Sequence, residues 1–445
     1  MSNDTRDQQL QTPTADNATK GDERFFTKPL IIIFITVFID LVGFGIVLPI
    51  LPIYAESPEF NATPFEIGML FAIYSWMQFF FAPILGRMSD KYGRRPVLFF
   101  SILGSAVGYF LVGWAGSLTL VFVGRIVSGV TGGNISTAQA YVADVTSKEN
   151  RAKGMGLFGA AFGLGFIFGP AIAGILSKYG IHVPFYFAAV LSLANAIALY
   201  FILPETVKRS DGATQKEAEN RFKEFFEAFR ERQFGLINLV YFLLITAFSI
   251  MTYAFVLFTA YRFGYNAEQN GYLFAFVGLV SIVGQGFLFH TLAVKFGESR
   301  LAAAGCFALV LALFAMPLVV PTPDTFWIFP LVGSISGGLL ILLGVCVLLS
   351  FGNAMASPAL TSLASKVSHE HEQGKSLGIL QSGASLARAI GPTIGGPLLS
   401  NSASAIDNST ISRTFWTASA IMLVAFVFAV YFARSFSGEN PSEGL

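Results

Sequence analysis

A chain of 445 residues with 54% hydrophobic and 12% charged side chains falls well below the roughly 25% charged content of soluble domains, which makes a lipid bilayer its natural solvent. A formal net charge of +1 leaves no excess of Lys and Arg to grip a phosphate backbone, so nucleic acid is excluded as a partner. The two cysteines, Cys306 and Cys346, each lie in an apolar run, which implies neither a disulfide framework nor a thiolate metal site.

Residues 1–28 are polar and lack the apolar stretch and small-residue cleavage site of a signal peptide, so they read as a disordered cytosolic tail. A helix crossing a hydrocarbon core of about 30 Å needs about 20 mostly apolar residues. Twelve such segments follow, near 29–54, 65–85, 96–116, 118–141, 153–177, 183–203, 234–262, 268–291, 300–320, 338–364, 374–400 and 411–435. The tenth is the hardest to bound. The apolar run from Phe326 to Leu363 exceeds one ordinary span, and Pro330 to Gly338 reads as a loop or re-entrant turn. The linker at 204–232 is charged and carries Phe222, Phe225, Phe226 and Phe229 at helical spacing, the pattern of a helix lying in the membrane interface.

The chain repeats itself. Gly68-Met-Leu-Phe-Ala in the second segment matches Gly271-Tyr-Leu-Phe-Ala in the eighth, and Gly169-Pro170 through Gly174 in the fifth matches Gly391-Pro392 through Gly396 in the eleventh. Internal repeats of this kind are the mark of a molecule built from two similar halves. The expected fold is an all-α membrane protein with twelve transmembrane helices in two pseudo-symmetric six-helix bundles, 29–203 and 233–436, joined by the linker and followed by a cytosolic tail at 437–445. With both termini in the cytosol, 23 of the 28 Lys and Arg fall in tails and cytosolic loops, three outside (Lys178, Arg262, Arg413) and two within spans. That asymmetry sets the orientation.

Ionisable groups inside a span cost on the order of 2.5–3.5 kcal/mol each at the helix centre, so they are retained for a purpose. Asp40, Arg125 and Arg388 are the deep ones, and Asp40 alone of the three can carry a titrating proton. Arg388 has no counterpart in the internal repeat, where Phe166 aligns with it. Two readings stay open for it: contact with an anionic substrate group, or compensation of a carboxylate or helix C-terminus. A cavity between the halves would be lined by aromatics and amides, namely Phe44, Tyr74, Gln78, Asn134, Gln139, Tyr253, Gln285, Asn353 and Gln381, which suit an amphipathic compound. Nucleotide drive is excluded, because Gly374-Lys375-Ser376 lacks the upstream glycine of a phosphate loop. His369-Glu370-His371-Glu372 reads as a solvated polar run rather than a metal site.

Four motifs in order carry a resemblance. Asp40 precedes Gly43-Phe-Gly-Ile-Val-Leu-Pro49; the loop after the second segment reads Gly86-Arg87-Met88-Ser89-Asp90-Lys91-Tyr92-Gly93-Arg94-Arg95; the fourth segment has Arg125-Ile-Val-Ser-Gly129; and the fifth has Gly165-Phe-Ile-Phe-Gly169-Pro170-Ala-Ile-Ala-Gly174. From Lys28 to Arg434 the chain resembles the major facilitator superfamily, within it the drug/proton antiporters related to tetracycline exporters.

The resemblance implies proton-coupled efflux of a small amphipathic compound by a monomer of the cell (inner) membrane. Its partners are that substrate, protons and lipid, and it needs no cofactor. It also implies that Asp40 and Arg125 couple charge to proton movement, and that the loop of Gly86, Asp90, Gly93, Arg94 and Arg95 gates the cytosolic side as a latch between the halves. Glycine and proline at Gly165, Gly169, Pro170 and Gly174 would make a close contact with the eighth helix of the other half. Tetracycline exporters carry further acids where this chain has Gly108 and Leu309, which speaks against tetracycline itself. Uptake of a metabolite by symport or facilitated diffusion, or flipping of a lipid-linked substrate, are the competing readings.

Overall fold

Helix initiation follows local chemistry. Thr27 caps the first helix by accepting the Leu30 amide, with Pro29 in its first turn. Thr63 and Glu66 form a reciprocal capping box at the start of the second. The computed structural model describes residues 27–146, 151–206, 232–323, 325–329, 333–367, 373–403 and 405–436. Within them run α1 (Lys28–Glu56), α2 (Pro64–Tyr92), α3 (Arg94–Gly113), α4 (Leu118–Val145), α5 (Arg151–Ser177), α6 (Val183–Ile202), α7 (Arg232–Phe263), α8 (Ala267–Phe296), α9 (Glu298–Leu318), α10 (Gly337–Val367), α11 (Gln373–Leu399) and α12 (Asn408–Phe436). Ten of these are long and apolar enough to cross a bilayer. The other two, α5 and α11, lie against α1 and α2 respectively.

The boundaries extend the sequence expectation mainly at polar ends, because α2 and α8 continue past the apolar stretch by a turn or more. Two helices are irregular. The α4 ladder is interrupted at Gly132 and Gly133, and α8 contains a π-helical turn at Gly284–Leu288. Between α9 and α10 the chain forms an antiparallel hairpin, β1 (Thr325–Phe329) with β2 (Gly333–Ser336), where the sequence left a loop and a re-entrant turn open. The expected N-terminal tail before Thr27, the interfacial helix with Phe222 to Phe229 and the run His369 to Glu372 lie outside the described residues.

Side chains such as Phe100, Val190, Phe201, Phe287 and Val294 stay more than half exposed on the outer surface, as a lipid-facing belt does. Trp114 and Tyr179 stand exposed at one end, the placement of interfacial aromatics. The end at which α1 begins and α12 finishes is the terminal face, and the opposite end is the distal face. One continuous core joins the halves through Ile46, Leu70, Phe71, Tyr253 and Phe274, and within the second half runs on to Phe234, Leu360 and Phe432. At the terminal face the first half keeps a separate core of its own around Leu30, Leu98, Tyr141 and Leu199. The halves are therefore packed together distally and distinct where the termini lie.

Candidate functional site

Glycine decides how closely the halves meet. A Cβ on Gly271 of α8 would stand 2.6 Å from the Pro170 carbonyl oxygen and 2.7 Å from Gly174 Cα of α5. On Gly68 of α2 it would stand 3.0 Å from Gly396 Cα of α11. Membrane helices rely on such backbone approach. Trp76 of α2 also donates to Thr393 Oγ1 of α11 at 3.4 Å. At the distal rim Lys178 pairs with Glu268 across the halves at 2.9 Å.

The glycine and proline motif of α5 divides between two jobs, which corrects the sequence expectation. Gly174 and Pro170 meet α8, as expected. Gly165 and Gly169 instead face α1 of their own half, where a Cβ on Gly169 would lie 2.7 Å from Gly45 Cα and from the Val42 carbonyl oxygen. Four-residue spacing gives the face of a helix, but the twist of α5 carries its ends to different neighbours. The repeat in α11 divides likewise: Gly391 lies on Thr246 and Ser249 of α7, and Gly396 on Phe65 of α2.

Near the middle of the first half, the phenol of Tyr74 is a hub. Its ring lies 5.9 Å from that of Phe44, which also meets Phe166 at 6.1 Å. The Arg125 guanidinium sits 4.4 Å over the Tyr74 ring and 5.9 Å from Phe71, and its Nε donates to the Leu70 carbonyl at 3.1 Å. Gln78 donates to the Gly132 carbonyl at 2.8 Å, with the Tyr74 hydroxyl 3.5 Å away; the break in α4 is what exposes that carbonyl.

Asp40 accepts a hydrogen bond from Asn134 Nδ2 at 3.2 Å. Asn134 is the first residue of the helix resuming after the break. Among the described residues Asp40 forms no ion pair, with Arg125 or with any other cation. Arg125 is held instead by aromatic faces and a carbonyl, which suit a flat delocalised cation.

Arg388 enters from the second half. Its Nη2 donates to Ser385 Oγ at 3.0 Å, one helical turn back, and it lies within electrostatic reach of Tyr241 and Tyr74. Tyr253 is fully buried under Gly395, 6.3 Å from the Phe71 ring, with no partner for its hydroxyl among the described residues. It belongs to the closed seam rather than to an open cavity wall, a correction to its expected place. Gln139, Asn353 and Gln381 are half-buried, and Gln285 is exposed in the π turn of α8.

The motif expected as a loop after α2 is helical except at Gly93: Gly86 to Tyr92 close α2, Arg94 and Arg95 open α3, and its charges turn onto their own half. Arg94 pairs with Asp90 and, through Nε at 3.1 Å, with Asp144, and its Nη1 reaches Ser89 Oγ at 2.7 Å. Among the described residues the ion partner of Asp90 is thus Arg94 of its own half. Ser89 also donates to the buried Gly86 carbonyl at 2.7 Å. Gly93 has φ +106°, and a Cβ there would be 2.5 Å from Glu205 Oε2, so glycine is required twice over.

Glu205 escaped the sequence reading. Its carboxylate accepts the Arg94 and Arg95 amides at 2.9 and 3.1 Å, capping α3 across 111 and 110 residues of sequence. An acid immediately after α6, facing a basic loop in the same compartment, was the available signal. The positions of the missing acids are tightly packed: a Cβ on Gly108 would lie 2.0 Å from Ser128 Oγ, and Leu309 is 2% exposed against Gly352.

The family model described as Major Facilitator Superfamily matches residues 33–346 and 329–444. The chain is 31% identical over 414 residues to the class H tetracycline resistance protein of Pasteurella multocida, covering 91% of this chain and 96% of that one. It is 32% identical over 360 residues to the class B tetracycline resistance protein of Escherichia coli, covering 80% and 84%. The crystal structure of the human organic anion transporter MFSD10 superposes with a TM-score of 0.65 at 24% identity, covering 90% of this chain and 99% of that one.

Proposed function

The chain belongs to the Major Facilitator Superfamily, a multi-pass membrane transporter and not an enzyme, and we propose that it exports a small amphipathic compound in exchange for protons by alternating access. On this reading the terminal face, where Arg87, Lys91, Arg94 and Arg95 lie, is the cytosolic one. The packed distal seam then makes the described state the inward-facing one. Similarity to two tetracycline resistance proteins supports efflux over uptake, while the close packing at Gly108 and Leu309 leaves no place for the additional acids and speaks for a different compound.

The observation that carries the reading is Asp40, the carboxylate deep in a span, held by an amide. An amide side chain offers both donor and acceptor, so by turning over it serves either the carboxylate or the carboxylic acid. A guanidinium would serve the charged form alone. The other acids near the spans are committed elsewhere, Glu66 to its capping box and Asp144 to Arg94. As the halves rock, Asp40 takes a proton in the state open to the outside and releases it in the state described here, and substrate moves on the return.

The test is reconstitution in liposomes with an imposed pH gradient and a panel of amphipathic compounds. Asp40→Asn keeps shape and hydrogen bonding but cannot titrate. It is expected to bind substrate and exchange it at equilibrium, yet to lose gradient-driven accumulation. Undiminished accumulation by this variant refutes the reading.

A further inference from the structure

Three charges sit deep among the described helices, and Tyr74 is within electrostatic reach of all three: Asp40, Arg125 and Arg388. They are not equivalent. Arg125 is 2% exposed and spent on the Leu70 carbonyl and two aromatic faces within its own half. Arg388 is half-buried on α11. Its described hydrogen bond, to Ser385, engages one donor of a five-donor fork, and among the described residues no carboxylate pairs with it. Among the described residues Asp40 on α1 has Asn134 and no cation. Among those residues each half thus presents one charged group without a counter-charge, of opposite sign, and both lie within electrostatic reach of Tyr74, whose ring packs beside Phe44.

Resting on the antiport reading above, we infer that the substrate is a zwitterionic amphipath: its acid group docks on Arg388 of the second half, its amine on Asp40 of the first, and its apolar body on the Phe44 and Tyr74 rings. The charge balance selects this class over its neighbours. A purely anionic compound would bind better once Asp40 is protonated, since that removes a like charge, and would therefore travel with the proton rather than against it. A purely cationic compound would meet Arg388 unshielded. With a zwitterion, proton and amine compete for the same carboxylate, which is the linkage that exchange requires, and the acid holds the molecule to the half that moves relative to the other. The titratable groups facing Asp40 are Tyr74 of α2 and Tyr109 of α3, each of which also lies within reach of Arg125 of α4. Those facing Arg388 are Tyr241 of α7 and Tyr74.

The experiment uses purified full-length protein and one rigid scaffold in four charge states: an aminomethyl-biphenyl-carboxylic acid, its methyl ester, its N-acetyl derivative and the doubly blocked neutral form. Calorimetric titration is expected to show the zwitterion binding at least about tenfold tighter than the other three, about the worth of one charge-assisted contact. In Arg388→Gln the zwitterion should bind no tighter than the ester, and the ester no more weakly than in the parent chain; in Asp40→Asn the zwitterion should bind no tighter than the N-acetyl compound. Arg388→Lys retains the charge and should keep most of the acid preference, which separates loss of the contact from misfolding. Four affinities within about threefold of one another, or tightest binding by a singly charged form, overturn the proposal whatever drives transport. Loss of pH-driven accumulation for every form in liposomes is a separate result, and overturns the antiport reading instead.

Discussion

Gly271 and Gly169 offer a paired test of how the seam works, because the same substitution meets backbone in both places but in different partners. In Gly271→Leu the new Cβ begins 2.6 Å from the Pro170 carbonyl oxygen and 2.7 Å from Gly174 Cα. Neither atom can swing aside, so ordinary contact near 3.5 Å requires α8 to withdraw from α5 by about 1 Å. Overpacking of this kind costs about 1–3 kcal/mol. The cost falls on the distally closed state, since the distally open state separates these two helices. The equilibrium should therefore move toward the open state by about 5- to 150-fold. Gly169→Leu clashes as hard, 2.7 Å from Gly45 Cα and the Val42 carbonyl oxygen, but with its own half. It should burden both states alike and lower the thermal midpoint without moving the equilibrium. Electron–electron resonance between spin labels at Glu59 and Ser402, exposed on distal loops of opposite halves, reads the distance directly. A longer distance in Gly271→Leu alone is the expected result. An unchanged distance there, or an equal shift in both variants, would refute the division of labour assigned to the α5 motif.

Three further outcomes are expected. Asp40→Asn should abolish accumulation driven by a pH gradient while sparing equilibrium exchange, measured by counterflow in liposomes. Glu205→Gln removes the charge that caps α3 and should cost about 1 kcal/mol, seen as a lower thermal midpoint, whereas Asp90→Asn, on the exposed side of Arg94, should cost less. Hydrogen bonding to Glu268, and then its charge, raises Lys178 above the usual 10.5, with Tyr272 adding to the same direction. A raised lysine stabilises the state that holds the pair at all pH values below its ordinary range, and loses that contribution as pH rises through the raised value. The distal labels should accordingly separate above about pH 10.5 in the parent chain and show a smaller alkaline change in Lys178→Gln; equal alkaline shifts in both would exclude the pair as the cause.

The twelve helices, their two-fold repetition and the short list of deep charges were legible in the sequence for one physical reason. Hydrocarbon imposes its thickness and its intolerance of charge on each span separately, so every segment declares itself without reference to the others. Helix ends were less legible where polar turns prolong an apolar run, as at Arg87 to Tyr92 in α2. The apolar residues before α10 left a loop and a re-entrant turn both open, because a hairpin and a membrane-buried segment can share composition. What the tertiary structure decided are the choices among partners distant in sequence: that Asp40 is held by Asn134 and not by Arg125, that Arg125 spends itself on Tyr74 and the Leu70 carbonyl, and that Glu205 caps α3. The same holds for which glycines of α5 face α1 and which face α8, and for which end of the molecule is closed. Each depends on the rotation and tilt with which one helix packs on another, a property of the pair that no single helix encodes.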